Sequence, residues 1–110
     1  MDFGHYKSCI EACHVCAAYC DRCAVSCLQE DDVKMMAECI RLDMQCAQIC
    51  RLAASFMAQD SEYANQLCRL CADVCKACAD ECAKHEADHC QQCAEACRRC
   101  AEACIAMASH

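Results

Sequence analysis

Apolar and polar positions alternate along this chain with the period of an α-helix, and cysteine holds most of the apolar places. Cys9, Cys13, Cys16, Cys20, Cys23 and Cys27 follow one another in steps of four and three. Cys68, Cys71, Cys75, Cys78 and Cys82 form a second ladder, and Cys90, Cys93, Cys97, Cys100 and Cys104 a third with the same spacing. On a helix that rhythm places every sulfur on one stripe, the stripe that usually carries Leu and Ile into a bundle core. The pattern predicts four helices over about residues 4–28, 32–58, 61–84 and 87–108.

Three short polar links separate these segments: Gln29-Glu30-Asp31-Asp32, Gln59-Asp60-Ser61-Glu62 and Lys84-His85-Glu86-Ala87-Asp88. Asp31 or Asp32, Asp60 or Ser61, and Asp88 are the expected N-caps. Links this short fold consecutive helices back on one another. The expected fold is therefore all-α, an antiparallel up-down-up-down four-helix bundle with a Cys-lined core, forming one domain over residues 1–110. The second helix is the irregular member. Its stripe holds Met36, Cys39, Asp43, Cys46, Cys50, Ala53 and Met57, so a carboxylate occupies a core place. The plainer expectation is that this helix turns slightly, bringing Leu42 inward and Asp43 to solvent. The alternative is a buried carboxylate that ligates or orients.

Composition sharpens the question of what fills the core. Leu, Ile, Val and Phe number only 15 of 110 residues, whereas Cys numbers 19 and Ala 21. Packing alone is a poor reason for so many thiols, since Ala, Val and Leu bury as well without the risk of oxidation. Disulfides along a ladder are also disfavoured: Cβ atoms three or four residues apart stand roughly 5–6 Å from each other, and a disulfide needs about 3.8 Å. Metal–thiolate coordination remains. Neighbouring rungs can flank a small ion with bonds of about 2.3 Å, and four ladders around one axis give a continuous column of donors.

Charge selects the ion. Soft sulfur donors favour Cu(I), Zn(II) and iron–sulfur clusters. A buried tetrathiolate zinc site keeps two negative charges, which is costly in a dry core, whereas one Cu(I) per thiolate is neutral. Iron–sulfur clusters want four cysteines in a compact pocket, not an extended ladder. Cu(I), with many ions per chain, is the best fit and Zn(II) or Cd(II) the next. All nineteen cysteines are candidate ligands: the three ladders together with Cys39, Cys46 and Cys50.

The bundle ends differ. At the start of the first helix Phe3, Tyr6, Phe56, Met57 and Met107 are expected to form an apolar plug. At the other end Glu30, Asp32, Met35, Met36, His85 and His89 gather carboxylates, thioethers and imidazoles, and this end is the expected mouth for copper. His14 should flank the core, with His5 and His110 exposed. The net charge of −7 argues against nucleic acid and anionic membrane surfaces as partners. The N-terminal residues show neither a basic start followed by an apolar run nor a cleavage site, so a cytoplasmic location is expected, where thiols stay reduced. No nucleophile–base–orienter set is visible, so no enzyme is expected.

The segment His85-x3-His89-Cys90-x2-Cys93-Ala94-x2-Cys97-Arg98-x-Cys100-Ala101-x2-Cys104 resembles the bacterial copper storage proteins, and most closely their leaderless cytosolic branch. The resemblance covers essentially the whole chain, including the ladder of the first helix and the sparser second helix. It implies a four-helix bundle whose core thiols store many Cu(I) ions, assembled as a homotetramer, with histidine and methionine near the open end. On that resemblance the ladder cysteines are ligands, and Met35, Met36, His85 and His89 are mouth residues. Copper would arrive from a chaperone or a thiol carrier. The rival readings are a metallothionein-like Zn(II) or Cd(II) buffer and a thiol redox protein using a Cys-x2-Cys pair such as Cys68/Cys71.

Overall fold

The structure, a computed structural model, describes residues 3–109, with the side chain of Phe3 outside what is described. The expectations for Phe3 as part of a plug and for His110 fall outside the described residues.

Four helices account for nearly all of them: α1, Phe3–Leu28; α2, Ala37–Ala58; α3, Ala64–Cys82; and α4, Asp88–Ala108. No proline interrupts them, and Ala with unbranched side chains keeps helix propensity high. Consecutive helices pack on one another, α1 on α2, α2 on α3 and α3 on α4, and α4 closes the square on α1. Antiparallel order is fixed by side-chain contacts. Cys9 near the start of α1 meets Cys104 near the end of α4, and Cys23 near the end of α1 meets Cys90 at the start of α4. The resulting rod measures 48 × 18 × 18 Å.

The links differ from their sequence reading at the caps. A 3₁₀ turn, Val33–Met36, precedes α2, because Asp32 has a non-helical backbone (φ −106°, ψ 72°) and Met36 tucks into the core. The Asp32 side chain makes no capping hydrogen bond, and Ala87, not Asp88, occupies the N-cap of α4. Asp60 closes α2 and does not open α3. It adopts φ 53°, its N–H donates to the Met57 carbonyl at 3.0 Å and the Ser61 N–H donates to the Phe56 carbonyl at 3.0 Å. That is the Schellman arrangement, with Asp in the left-handed place that glycine commonly takes. Ser61 does not cap the next helix either: Tyr63 is the N-cap of α3, and Ser61 Oγ accepts from its N–H at 3.0 Å in the preceding turn.

The core is one cluster running the length of the bundle, built from all nineteen cysteines with small alanines between them. Met57, Met107 and the half-buried Tyr6 close one end, whereas Phe56 is half-buried and stays outside the cluster. His14 is exposed and does not flank the core. It follows Cys13 directly, and the roughly 100° turn between consecutive helical residues carries it off the stripe.

Candidate metal centre

Every cysteine is free and buried. The sulfurs lie in tiers along the axis, each drawn from three helices. Cys13, Cys71, Cys100 and Cys104 form one tier. Cys16, Cys46, Cys50 and Cys75 form the next, followed by Cys20, Cys78, Cys93 and Cys97, and by Cys23, Cys27, Cys39 and Cys90 toward the opposite end. Within each tier the donor atoms all stand within 4.8 Å of one another. Contacts between nearest sulfurs run from 3.4 Å for Cys39–Cys82 to 4.0 Å for Cys46–Cys50. An ion with metal–sulfur bonds of about 2.3 Å holds three coplanar sulfurs about 4.0 Å apart and two opposed sulfurs about 4.6 Å apart. The thiols therefore need only small rotations to take up ions, and each sulfur has neighbours on more than one side with which to bridge.

Asp43 is fully buried among these sulfurs, which overturns the expectation that Leu42 would replace it in the core. Its Oδ1 accepts from the Sγ–H groups of Cys78 at 3.2 Å, Cys93 at 3.4 Å and Cys82 at 3.5 Å, and its Oδ2 lies 3.8 Å from Cys39 Sγ. Leu42 is half-buried against the edge of the core. Burial is the main reason the Asp43 carboxyl group titrates far above the ordinary range, at about 8. The group is neutral in the metal-free protein at neutral pH. Among the described residues it is the one buried polar side chain, so the column of thiols contains no cation to balance charge.

Toward the end expected to be the mouth, His89 is aimed at sulfur. Its Nδ1 stands 3.5 Å from Cys23, 3.5 Å from Cys90 and 4.0 Å from Cys27, and its Nε2 pairs with Glu30 Oε1 at 2.9 Å. A carboxylate on one ring nitrogen fixes the proton there and leaves the other nitrogen with a lone pair that accepts from the thiols and can ligate a soft ion. Burial raises the thiol pKa of Cys90 to about 11 and pushes Cys27 up for the same reason.

His85 is placed differently, with Nε2 2.9 Å from Glu81 Oε2. It lines a cleft of ≈ 230 Å³ with Glu30, Asp31, Asp32, Met35, Met36 and Glu86. Met36 forms the buried wall of that cleft and Met35 is 68% exposed. Of the four residues expected at the mouth, then, His89 reaches the sulfurs, and Met35, Met36 and His85 line the neighbouring cleft. The sequence places Glu30 and His89 at the same end of the bundle but does not pair them; the pair forms because the link after α1 faces the start of α4.

The family pattern described as copper storage protein matches residues 3–109. The chain belongs to the copper storage protein family. It is 49% identical to the Cu(I)-bound copper storage protein BsCsp3, over 94% of this chain and 98% of that one, with a TM-score of 0.91; Csp3 is a Bacillus subtilis protein. It is 40% identical to a cytosolic copper storage protein from Streptomyces lividans holding five coppers, over 99% of this chain and 96% of that one, with a TM-score of 0.94. A curated relative, the uncharacterised cysteine-rich protein YhjQ of Bacillus subtilis (strain 168), is 50% identical over 62 residues. That stretch is 56% of this chain and spans 57% of the relative's length. A storage family, and not an enzyme family, agrees with the lack of catalytic constellation in the sequence. No helix among the described residues is long and apolar enough to cross a membrane.

Proposed function

We propose that this chain stores Cu(I) in the cytoplasm, as one bundle domain over residues 1–110, holding many ions on its core thiolates. The observation that carries the reading is the continuous column of buried sulfurs, closely spaced on several sides and, among the described residues, without a buried cation. Monovalent copper neutralises thiolates one for one, so the column can fill along its length without leaving charge in a dry interior. All nineteen cysteines act as ligands.

His89 receives ions at the mouth and passes them to Cys23, Cys27 and Cys90, with Met35, Met36 and His85 forming the approach. The carboxylates of Glu30, Asp31 and Asp32 draw cations there. Copper comes from a thiol carrier or chaperone. Family membership supports assembly as a homotetramer, and the exposed Val15, Val25, Leu28 and Leu52 give the helices apolar outer surface for it.

The test is an anaerobic titration of reduced protein with Cu(I), followed by gel filtration and metal analysis. The expected result approaches one ion per thiol, on the order of nineteen per chain. Saturation after two or three cuprous equivalents, or displacement of bound copper by Zn(II) at equal concentration, would end the reading.

A further inference from the structure

The end of the rod remote from the mouth is not sealed on its flank. Between the first turns of α1 and the last turns of α4 lies a pocket of ≈ 250 Å³, lined by His5, Ser8, Cys9, Ala103, Ala106 and Met107. Cys9 lies in its wall and is 2% exposed, whereas the other eighteen cysteines are 0% exposed. Tyr6 and Met57 cover the end of the core, so this opening is lateral. It exists because α4 turns Ala103 and Ala106 toward it, where larger side chains would close the gap between the helices.

The pocket joins an imidazole, a thioether and a thiol, three groups that hold cuprous ions. It is also connected to the store. Cys9 Sγ lies 3.7 Å from Cys104 Sγ, Cys104 lies 3.8 Å from Cys13, and Cys13 lies 3.7 Å from Cys100, which belongs with Cys13 to the first tier of the column.

We propose that this pocket is a second port, a side window at which Cu(I) bound to Cys9 is exchanged with a low-molecular-weight thiol. The proposal rests on the storage reading above and adds a route to it. The pocket has room for a small thiol and not for a folded carrier. The exchange involves no change of oxidation state. The incoming thiol gives its proton to the Cys9 sulfur as its own sulfur takes the copper, so one copper–sulfur bond breaks, one forms and the count of protons is unchanged. His5 and Met107 hold the ion as it changes partners. The mouth and the window then divide the traffic: large donors are confined to the end where His89 stands, and small thiols reach the store from the side.

The experiment uses the full chain loaded with Cu(I) under nitrogen and excess reduced glutathione as the acceptor, following loss of the copper–thiolate absorption. Ala106→Phe, at an exposed position, fills the window without replacing a ligand, and Ala103→Leu does so from the neighbouring turn. In a background where the mouth is disabled by His85→Ala, His89→Ala and Met36→Leu, either change should slow withdrawal by roughly fivefold or more, because blocking an approach changes rates more than equilibria. Capacity should stay at the value of the parent. A second readout is independent of copper: limiting iodoacetamide added to metal-free protein should label Cys9 ahead of every other cysteine, and Ala106→Phe should suppress that labelling. Withdrawal at the parental rate in both window variants, or first labelling at Cys27 or Cys90, overturns the port and leaves storage intact. A wild-type chain that holds only two or three ions removes the storage reading itself and the port with it.

Discussion

Asp43 occupies a place on the α2 stripe whose other members are cysteine, methionine and alanine, and its carboxyl group has no exposure to water. Its acidity makes it a pH sensor for the stability of the metal-free bundle. In the unfolded chain an aspartate titrates at about 3.9, whereas in the fold it titrates at about 8. Between those values the native state keeps a proton that the unfolded state has lost, so the free energy of unfolding falls as pH rises. The contribution of the neutral carboxyl is complete below about pH 4 and is lost progressively up to about pH 8, at about 1.4 kcal/mol per pH unit. Asp43→Asn keeps the shape and removes the titration. It should match the parent at pH 4 and exceed its stability at pH 8 by no more than about 5 kcal/mol, as measured by urea unfolding of reduced, metal-free protein. An equal gap at both pH values would show that the carboxyl does not titrate in this window.

At the scale of the helices, the ladders made most of the fold legible, because the period of the cysteines states which face of each helix turns inward. The same period settles Asp43 once the square of helices exists. Bringing Leu42 inward in its place needs a rotation of roughly 100°, which would turn Cys39, Cys46 and Cys50 out of the core. Hydropathy favoured Leu42, but three thiols on one stripe outweigh one leucine beside it. The helix ends were less legible, since an aspartate in a link can cap the helix that follows or close the one before. Asp60 does the latter at φ 53°, a backbone region that costs a residue with a Cβ about 1 kcal/mol or more. Asp60→Gly should therefore stabilise the bundle by about 1 kcal/mol, which raises the melting temperature of a chain this size by about 4 °C. Asp60→Ala keeps the Cβ without the polar group and should melt below the parent. A glycine variant that melts no higher than the alanine variant would contradict the assignment. The side window was not legible at all, because it depends on two small residues of α4 facing the first turns of α1 across a gap that no spacing rule records.

The charge balance of the whole molecule sets how loading must proceed. The chain carries a net charge of −7, but that charge lies on the surface; within the core the described residues offer only thiols and the neutral Asp43. Uncompensated charge in such an interior costs several kcal/mol per ion even after relaxation. Each cuprous ion that enters must therefore displace about one proton, leaving the interior neutral at every stage. Buried thiols such as Cys90, with a pKa of about 11, are protonated at neutral pH and supply those protons. Loading weakly buffered protein at pH 7 with Cu(I) should release protons in a cumulative ratio to copper that settles near one by saturation, read with a pH indicator or pH-stat. Filling by isolated two-coordinate ions, each bound to two thiolates of its own, would release about two protons per ion and would stop with half the capacity. A divalent ion in a tetrathiolate site would release about four and stop sooner still. Capacity and proton count are thus one measurement of the same property. A ratio held near two to the end of the titration would mean that the column tolerates buried charge, and the physical reason for preferring a monovalent ion over a divalent one would be gone.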